Sequence, residues 1–256
     1  MNKESKDSGR CSVSGCENFA RSGFGSRSPG HEWYPGTMTA TAPTASQALT
    51  IPGPAGTLEA LLDIPAVIAA PESVAVICHP HPQYGGTMTN KVVYSIARAF
   101  NEAGAPTVRF NYRGVGASTG SYDEGNGETD DALAVLDWVA QRYPGARLWL
   151  GGFSFGGAVA IRAAAARDVA RLVTVAPAIR RVKVDERSLP QCPWLIVQGD
   201  HDELVDASDI QQWAQSLPES PRLALLNGVE HFFHGRLNEL RQVVVQWLIE
   251  LAHLGR

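Results

Sequence analysis

The stretch LWLGGFSFGGAVAIRAAAA, residues 148–166, passes from an apolar, strand-like run into a run of small helix formers. At its centre, Gly152-Phe153-Ser154-Phe155-Gly156 sets a serine at the junction. Strand, tight turn and helix form the context in which a G-x-S-x-G serine becomes a nucleophile. The turn demands small neighbours, and glycines supply them. The helix start aims free N–H groups and the positive dipole end at the hydroxyl. A second match, Gly116-Ala117-Ser118-Thr119-Gly120, follows the strand-like PTVRFNY but leads into the turn-rich STGSYDEGNG. No helix begins there, so Ser118 reads as a loop serine bonded to backbone. Ser154 is the candidate nucleophile.

Outward from this junction the chain alternates strand and helix patterns. ALTIPGPAGTLEALLDI reads as two short strands around Gly53-Pro54-Ala55-Gly56. VAVICHP, PTVRFNY, RLWLGG, ARLVTVAP, PWLIVQGD and RLALLNG read as further strands. Between them, TNKVVYSIARAFNEAG, ETDDALAVLDWVAQRYPG, FGGAVAIRAAAARD and SDIQQWAQSL read as helices, and LNELRQVVVQWLIELAHL closes the chain as a long amphipathic one. Continuous Val/Ile/Leu strands separated by helices predict an α/β fold. The expected sheet is mainly parallel, with an antiparallel N-terminal edge and helices on both faces. Residues 1–46 are rich in Ser, Gly, Arg and Lys and have no period, so a disordered tail is expected there. The abrupt change of composition near Met38 raises the idea of a start at that residue. The folded domain is expected over 47–256.

The chain has 256 residues, 44% hydrophobic and 19% charged, with a formal charge of -4. This balance suits a globular domain with a sizeable core and lacks the basic excess of a nucleic-acid binder. No apolar run reaches membrane-span length, and the N-terminus has no apolar signal core. Cys11, Cys16, Cys78 and Cys192 form no C-x-x-C pair. A cytoplasmic setting, no zinc site and no membrane or nucleic-acid partner are expected.

A serine hydroxyl needs a base, and the base needs an orienting acid. In a strand–turn–helix elbow the order is Ser, Asp/Glu, His. After PWLIVQ comes Gly199-Asp200-His201-Asp202-Glu203, and after RLALLNG comes Val229-Glu230-His231-Phe232-Phe233-His234. Asp200 or Asp202 can supply the acid, and His231 or His234 the base. Asp206 and Asp209 read as helix caps. His79 and His81 would share a face of an extended strand, but no third metal ligand stands at a suitable spacing, so neither a metal nor any other cofactor is expected. Gly114, Gly116 and Gly120 could suggest a dinucleotide loop, but their spacing is wrong and no helix follows.

These motifs together resemble the α/β-hydrolase superfamily from about residue 48 onward. GGFSFGG resembles its elbow. GDHDELV resembles its acid loop, which implies Asp202. GVEHFF resembles its histidine loop, which implies His231. RFNYRGVGASTG resembles a segment that often carries Asp where this chain has Asn111. HPHPQYGGTMTNKV resembles a compact, cap-less bacterial subgroup of serine hydrolases in which His-Pro replaces the usual His-Gly. The oxyanion hole then takes one backbone N–H from Phe155 and one from the loop after VAVIC. Pro80 and Pro82 have no N–H, which leaves His81 ahead of Gln83 and Tyr84.

The expectation is a serine hydrolase that cleaves a small carboxylic ester through an acyl-enzyme on Ser154. Thioesters and amides use the same machinery, and a non-catalytic ligand-binding role on the same fold is the other reading. Tyr84, Phe153, Phe232 and Phe233 are expected to line the substrate pocket. Only AIRRVKVDERSLPQC separates two of the strands, too little for a cap domain, so an open, shallow site is expected. Its Arg180 and Arg181 read as solvated, with an anionic substrate as the alternative.

Overall fold

Pro54 and Ala55 turn the chain between two antiparallel strands, β1 (Ala45–Gly53) and β2 (Gly56–Ile64). In this computed structural model the described residues are 45–66, 70–185 and 187–254, all within the unit Ala40–Arg256. The expected domain start at residue 47 moves outward by two. Ala45 and Ser46 already pair with Ile64 and Asp63, so they belong to β1. The rest of the expected tail, Met38 included, lies outside the described residues.

The later apolar runs form β3 (Ser73–Cys78), β4 (Thr107–Phe110), β5 (Arg147–Phe153), β6 (Arg171–Val175), β7 (Trp194–Gly199) and β8 (Arg222–Leu226). With the hairpin they make an eight-stranded sheet in the order β1-β2-β4-β3-β5-β6-β7-β8. Pairing is parallel from β4 across to β8, and antiparallel between β1 and β2 and between β2 and β4. The α/β architecture with an antiparallel N-terminal edge is thus present. β3, β4 and β7 are buried along their whole length. Such strands are covered on both faces, which explains their unbroken Val/Ile/Leu character. β3 ends at Cys78, so His79 and His81 do not share a strand face.

Among the described residues five α-helices cover the sheet: α1 (Lys91–Glu102), α2 (Asn126–Arg142), α3 (Phe155–Ala166), α4 (Ala207–Ser216) and α5 (Leu237–Leu254). Asn90 caps α1 by accepting from Val92 N at 2.9 Å, and Asp206 caps α4 by accepting from Ser208 N at 2.7 Å. Such caps satisfy helix-end donors and contribute ~1 kcal/mol each. One core lies under α2, α3 and α4 and takes Val76, Cys78, Leu150 and Ile196 from the strands. The other lies under α1 and α5 and takes Ile77, Trp149, Phe153 and Val197. This is strand alternation at work: neighbouring residues feed opposite cores. Full burial of each large aliphatic side chain contributes roughly 1.5–3 kcal/mol.

Two topological facts position the site. From β3 the chain goes to β4 on one side, then returns to β5 on the other. The loops after β3 and β5 therefore diverge and leave a crevice at the carboxyl edge of the sheet. Between β6 and β7 the described residues form no helix or strand, so no cap domain stands over that crevice.

Candidate active site

β5 delivers Ser154 to the crevice, and α3 starts at the next residue. Ser154 has φ 55° and ψ −117°, a conformation an L-residue avoids. Such strain costs on the order of 1–3 kcal/mol and persists only where neighbours over-determine it. Here they do. Ser154 N donates to Val175 O at 2.9 Å, and its carbonyl accepts from Gly157, Ala158 and Ala178 at 2.9, 3.2 and 3.0 Å. The flanking glycines are steric necessities. A Cβ on Gly152 would lie 2.1 Å from Gly156 O, and one on Gly156 2.3 Å from His79 O.

The loops after β7 and β8 bring the acid and the base. His231 Nε2 lies 3.0 Å from Ser154 Oγ, and His231 Nδ1 lies 3.0 and 2.8 Å from the two Asp202 oxygens. A carboxylate only accepts, so Nδ1 carries the proton and Nε2 is free to accept from the serine hydroxyl. Asp202 is held from three further directions, by Leu204 N (2.9 Å), Val205 N (2.7 Å) and Gln198 Nε2 (2.9 Å). Burial works to raise the Asp202 pKa, but its bonds to His231, Val205 and Leu204 outweigh it and keep the carboxyl below its ordinary value. The arrangement can take a proton from Ser154 Oγ and stabilise the imidazolium that results.

Of the residues that could have replaced these, Asp200 accepts from Gly228 N at 2.6 Å and locks the two loops together. His234 is exposed and paired with Glu230, away from the crevice. Ser118 accepts from Glu59 N at 2.9 Å and donates to Asn111 O at 2.7 Å, a backbone-bracing role. Asn111 itself accepts from Met88 N at 2.8 Å and donates to Glu59 Oε2 at 2.7 Å. An amide suits a donor on one side and a carboxylate on the other; an Asp there would face the Glu59 charge.

The loop after β3 carries His81, and His79 fixes its entry. A backbone carbonyl only accepts and a backbone N–H only donates. His79 Nδ1 therefore donates to Pro80 O at 2.7 Å, and Nε2 accepts from Tyr112 N at 3.2 Å. The neutral ring fits both partners and the charged ring does not. Burial accordingly pushes the His79 pKa down to about 3, against a smaller opposing pull from the Pro80 carbonyl. The unfolded chain binds this proton near the ordinary 6.5. Stability is therefore expected to fall as pH drops from about 6.5 towards 3, because the unfolded state then binds the extra proton. Urea denaturation of wild type and His79→Gln at pH 7, 5 and 4 checks this. The variant should show a shallower loss on the acid side, and equal slopes would remove His79 as the cause.

No hydrogen bond among the described residues uses the N–H of His81, and Phe155, as first residue of α3, has no intrahelical acceptor for its own. Both are free donors beside the crevice, one on the loop after β3 and one at the start of α3. The His81 ring packs against Tyr84, Tyr122 and Phe155 at centroid distances of 4.6, 5.2 and 4.9 Å.

A cavity of about 440 Å³ opens over Ser154, between Pro80, His81 and Tyr84 on one side and Leu204, Val205 and Phe232 on the other. Tyr84 and Phe232 line it. Phe153 and Phe233 do not. Phe153, the last residue of β5, alternates into the core under α1 and α5, where its ring backs His231 at 5.0 Å. Phe233 has φ 56°, and its side chain is fully buried in the same core. Sequence reading missed Gln198, although a polar residue ending the apolar PWLIV was a signal. It also set aside Arg181, which lines the cavity. Among the described residues no cluster of His, Cys, Asp and Glu is arranged to hold a metal, and no helix is long and apolar enough to cross a membrane.

A family model described as the alpha/beta hydrolase fold matches residues 76–190. An alpha-beta serine hydrolase homologue from Coxiella burnetii is 42% identical, with a TM-score of 0.74 over 78% of this chain and 96% of that one. A serine hydrolase without a lid from Xanthomonas campestris is 43% identical, with a TM-score of 0.75 over 81% of this chain and 95% of that one. An uncharacterized protein of Rickettsia prowazekii is 35% identical over 188 residues, 70% of this chain and 79% of its own length.

Proposed function

Since the chain belongs to the α/β-hydrolase family, we propose that it is a serine esterase acting on small carboxylic esters through an acyl-enzyme on Ser154. The observation that carries this reading is the unbroken hydrogen-bonded line from Ser154 Oγ through His231 to Asp202, on an elbow that opens into a cavity. His231 takes the hydroxyl proton as Ser154 attacks the acyl carbonyl. Asp202 holds the Nδ1–H tautomer and stabilises the imidazolium. The N–H groups of Phe155 and His81 receive the oxyanion, and each such donor stabilises the transition state by ~2.7–4 kcal/mol. His231 then passes its proton to the departing alcohol and activates water for the second half. No step calls for a cofactor.

The open mouth sets an expectation for acyl chain length. An enclosed pocket gains about 0.8 kcal/mol for each buried methylene, roughly fourfold in kcat/KM. Without a cap, a chain that outgrows the cavity stays in water. Across p-nitrophenyl esters from acetate to decanoate, kcat/KM should therefore rise over the first few methylenes and then level off. A continued fourfold rise per methylene to decanoate would contradict an open site, and no turnover of any ester would contradict the esterase reading.

A further inference from the structure

Resting on that reading, we propose that Arg181, together with Tyr84, forms a subsite for an anionic group, so that the preferred substrates are esters whose acyl portion carries a carboxylate.

The argument starts from charge. The groups that line the cavity over Ser154 include no acidic side chain, and Arg181 is its one permanently charged member among the described residues. Most other arginines are engaged; Arg142, exposed and stacked on Tyr143, also lacks a paired partner among the described residues but lies outside the cavity lining. Arg180, the neighbour of Arg181, pairs with Asp209 at 2.6 Å, Arg113 with Asp131 at 2.8 Å, and Arg109 with Asp63. Arg162 and Arg171 reach backbone carbonyls. The Arg181 side chain has neither an ion pair nor a hydrogen bond among the described residues, and its guanidinium lies 5.5 Å from the centre of the Tyr84 ring. A guanidinium stacked on an aromatic face is pre-organised, with its five N–H donors still unspent. A carboxylate is the planar partner that fits such a fork with two parallel bonds.

Placement supports the same reading. Ala178 N bonds to the carbonyl of Ser154, and Arg181 N bonds to the carbonyl of Ala178 at 3.0 Å. The arginine's backbone is thus tied to the elbow through one intermediate residue. Tyr84 belongs to the loop that carries His81, and it is 75% exposed at the mouth. The opposite wall holds His231, with Leu204 and Phe232 beside it. His231 must hand a proton to the leaving alcohol, so the alcohol portion occupies that wall. The acyl portion then extends towards Tyr84 and Arg181, which puts the recognised anion on the acyl side. The positive field of Arg181 already reaches the site. After burial, it is the second influence that holds the His81 pKa below its ordinary value.

The test compares two p-nitrophenyl esters of equal length, the hemiglutarate and the pentanoate, by the ratio of their kcat/KM values. The ratio should favour the hemiglutarate in the wild type. It should fall by about tenfold or more in Arg181→Gln, the factor expected for one charge-assisted contact at a partly solvated site. It should also shrink as salt is raised, because the charge sits at an open mouth. Arg180→Gln, one residue away but turned to Asp209, should leave the ratio where it was. A wild type that prefers the pentanoate overturns the proposal, as does an Arg181→Gln that slows both esters by the same factor. Those results leave the esterase reading standing. Failure of the wild type to turn over either ester removes the esterase reading itself, and this inference with it.

Discussion

Replacing Ser154 with Ala is expected to lower kcat/KM for any ester substrate by a factor on the order of 10⁶. The same change should abolish covalent labelling by a fluorophosphonate probe. The expectation follows from the proposed mechanism: without Oγ, His231 has no hydroxyl to deprotonate, and only direct attack by water, still assisted by the N–H donors, remains. The fold should survive. Alanine keeps a Cβ at the same φ of 55°, so the strain of the elbow is unchanged, and the bonds to Val175 and Ala178 use only backbone. Melting temperatures of the two proteins should therefore nearly coincide. Retention of more than about one per cent of activity would place the nucleophile elsewhere, and Ser118, buried in its own backbone bonds, is not a replacement.

The second large effect is expected at Gly156, and it is one of stability. A methyl group there would stand 2.3 Å from His79 O and 2.4 Å from Cys78 O. Both are backbone atoms of fully buried residues, the last of β3 and the one after it, so no flexible side chain can give way. Gly156→Ala must push α3 from the sheet or displace the loop that carries His81. Overpacking of this kind costs ~1–3 kcal/mol, and more when backbone is the obstacle. We expect at least about 3 kcal/mol, seen as a fall in melting temperature of roughly 6–12 °C. Gly145→Ala is the useful contrast. It has φ 85° with nothing within 4 Å of the added carbon, so it should lose only the left-handed backbone penalty of about 1–2 kcal/mol. Thermal melts of both variants decide the matter. A Gly156→Ala protein that melts with the wild type would show that the elbow and the loop after β3 are less tightly packed than described.

What the sequence disclosed depended on whether the physics was local. The elbow was legible because strand, glycine, serine, glycine and helix all lie within a few residues, and that local order also separated Ser154 from Ser118. The alternation of strands and helices gave the parallel sheet and its antiparallel edge for the same reason. The apolar wall was only half legible. Phe153 and Phe233 adjoin Ser154 and Phe232 in the chain, yet strand alternation turns one away and a left-handed backbone turns the other. Nearness in sequence did not decide which way a ring faced. Arg181 posed the reverse problem. Nothing in AIRRVKVD distinguishes it from Arg180. Only the path of the loop after β6 gives one arginine to Asp209 and the other to the cavity. Gln198 acts through Asp202 from the end of a buried strand, and its partner four residues on was not obvious before the turn between them was seen.

The short connection between β6 and β7 has a consequence for how this site can be fast. An enzyme that closes over its substrate can lower the local dielectric and so amplify every charge it presents. On the proposed mechanism no cap domain closes over the reacting carbonyl, so less of that amplification is available. Rate must come instead from holding Ser154, His231 and the two free N–H groups in fixed positions before the substrate arrives. On the same proposed mechanism, small alcohols and amines in solution also have the same path to the acyl-enzyme as water does. In their presence hydrolysis and acyl transfer become competing fates of one intermediate.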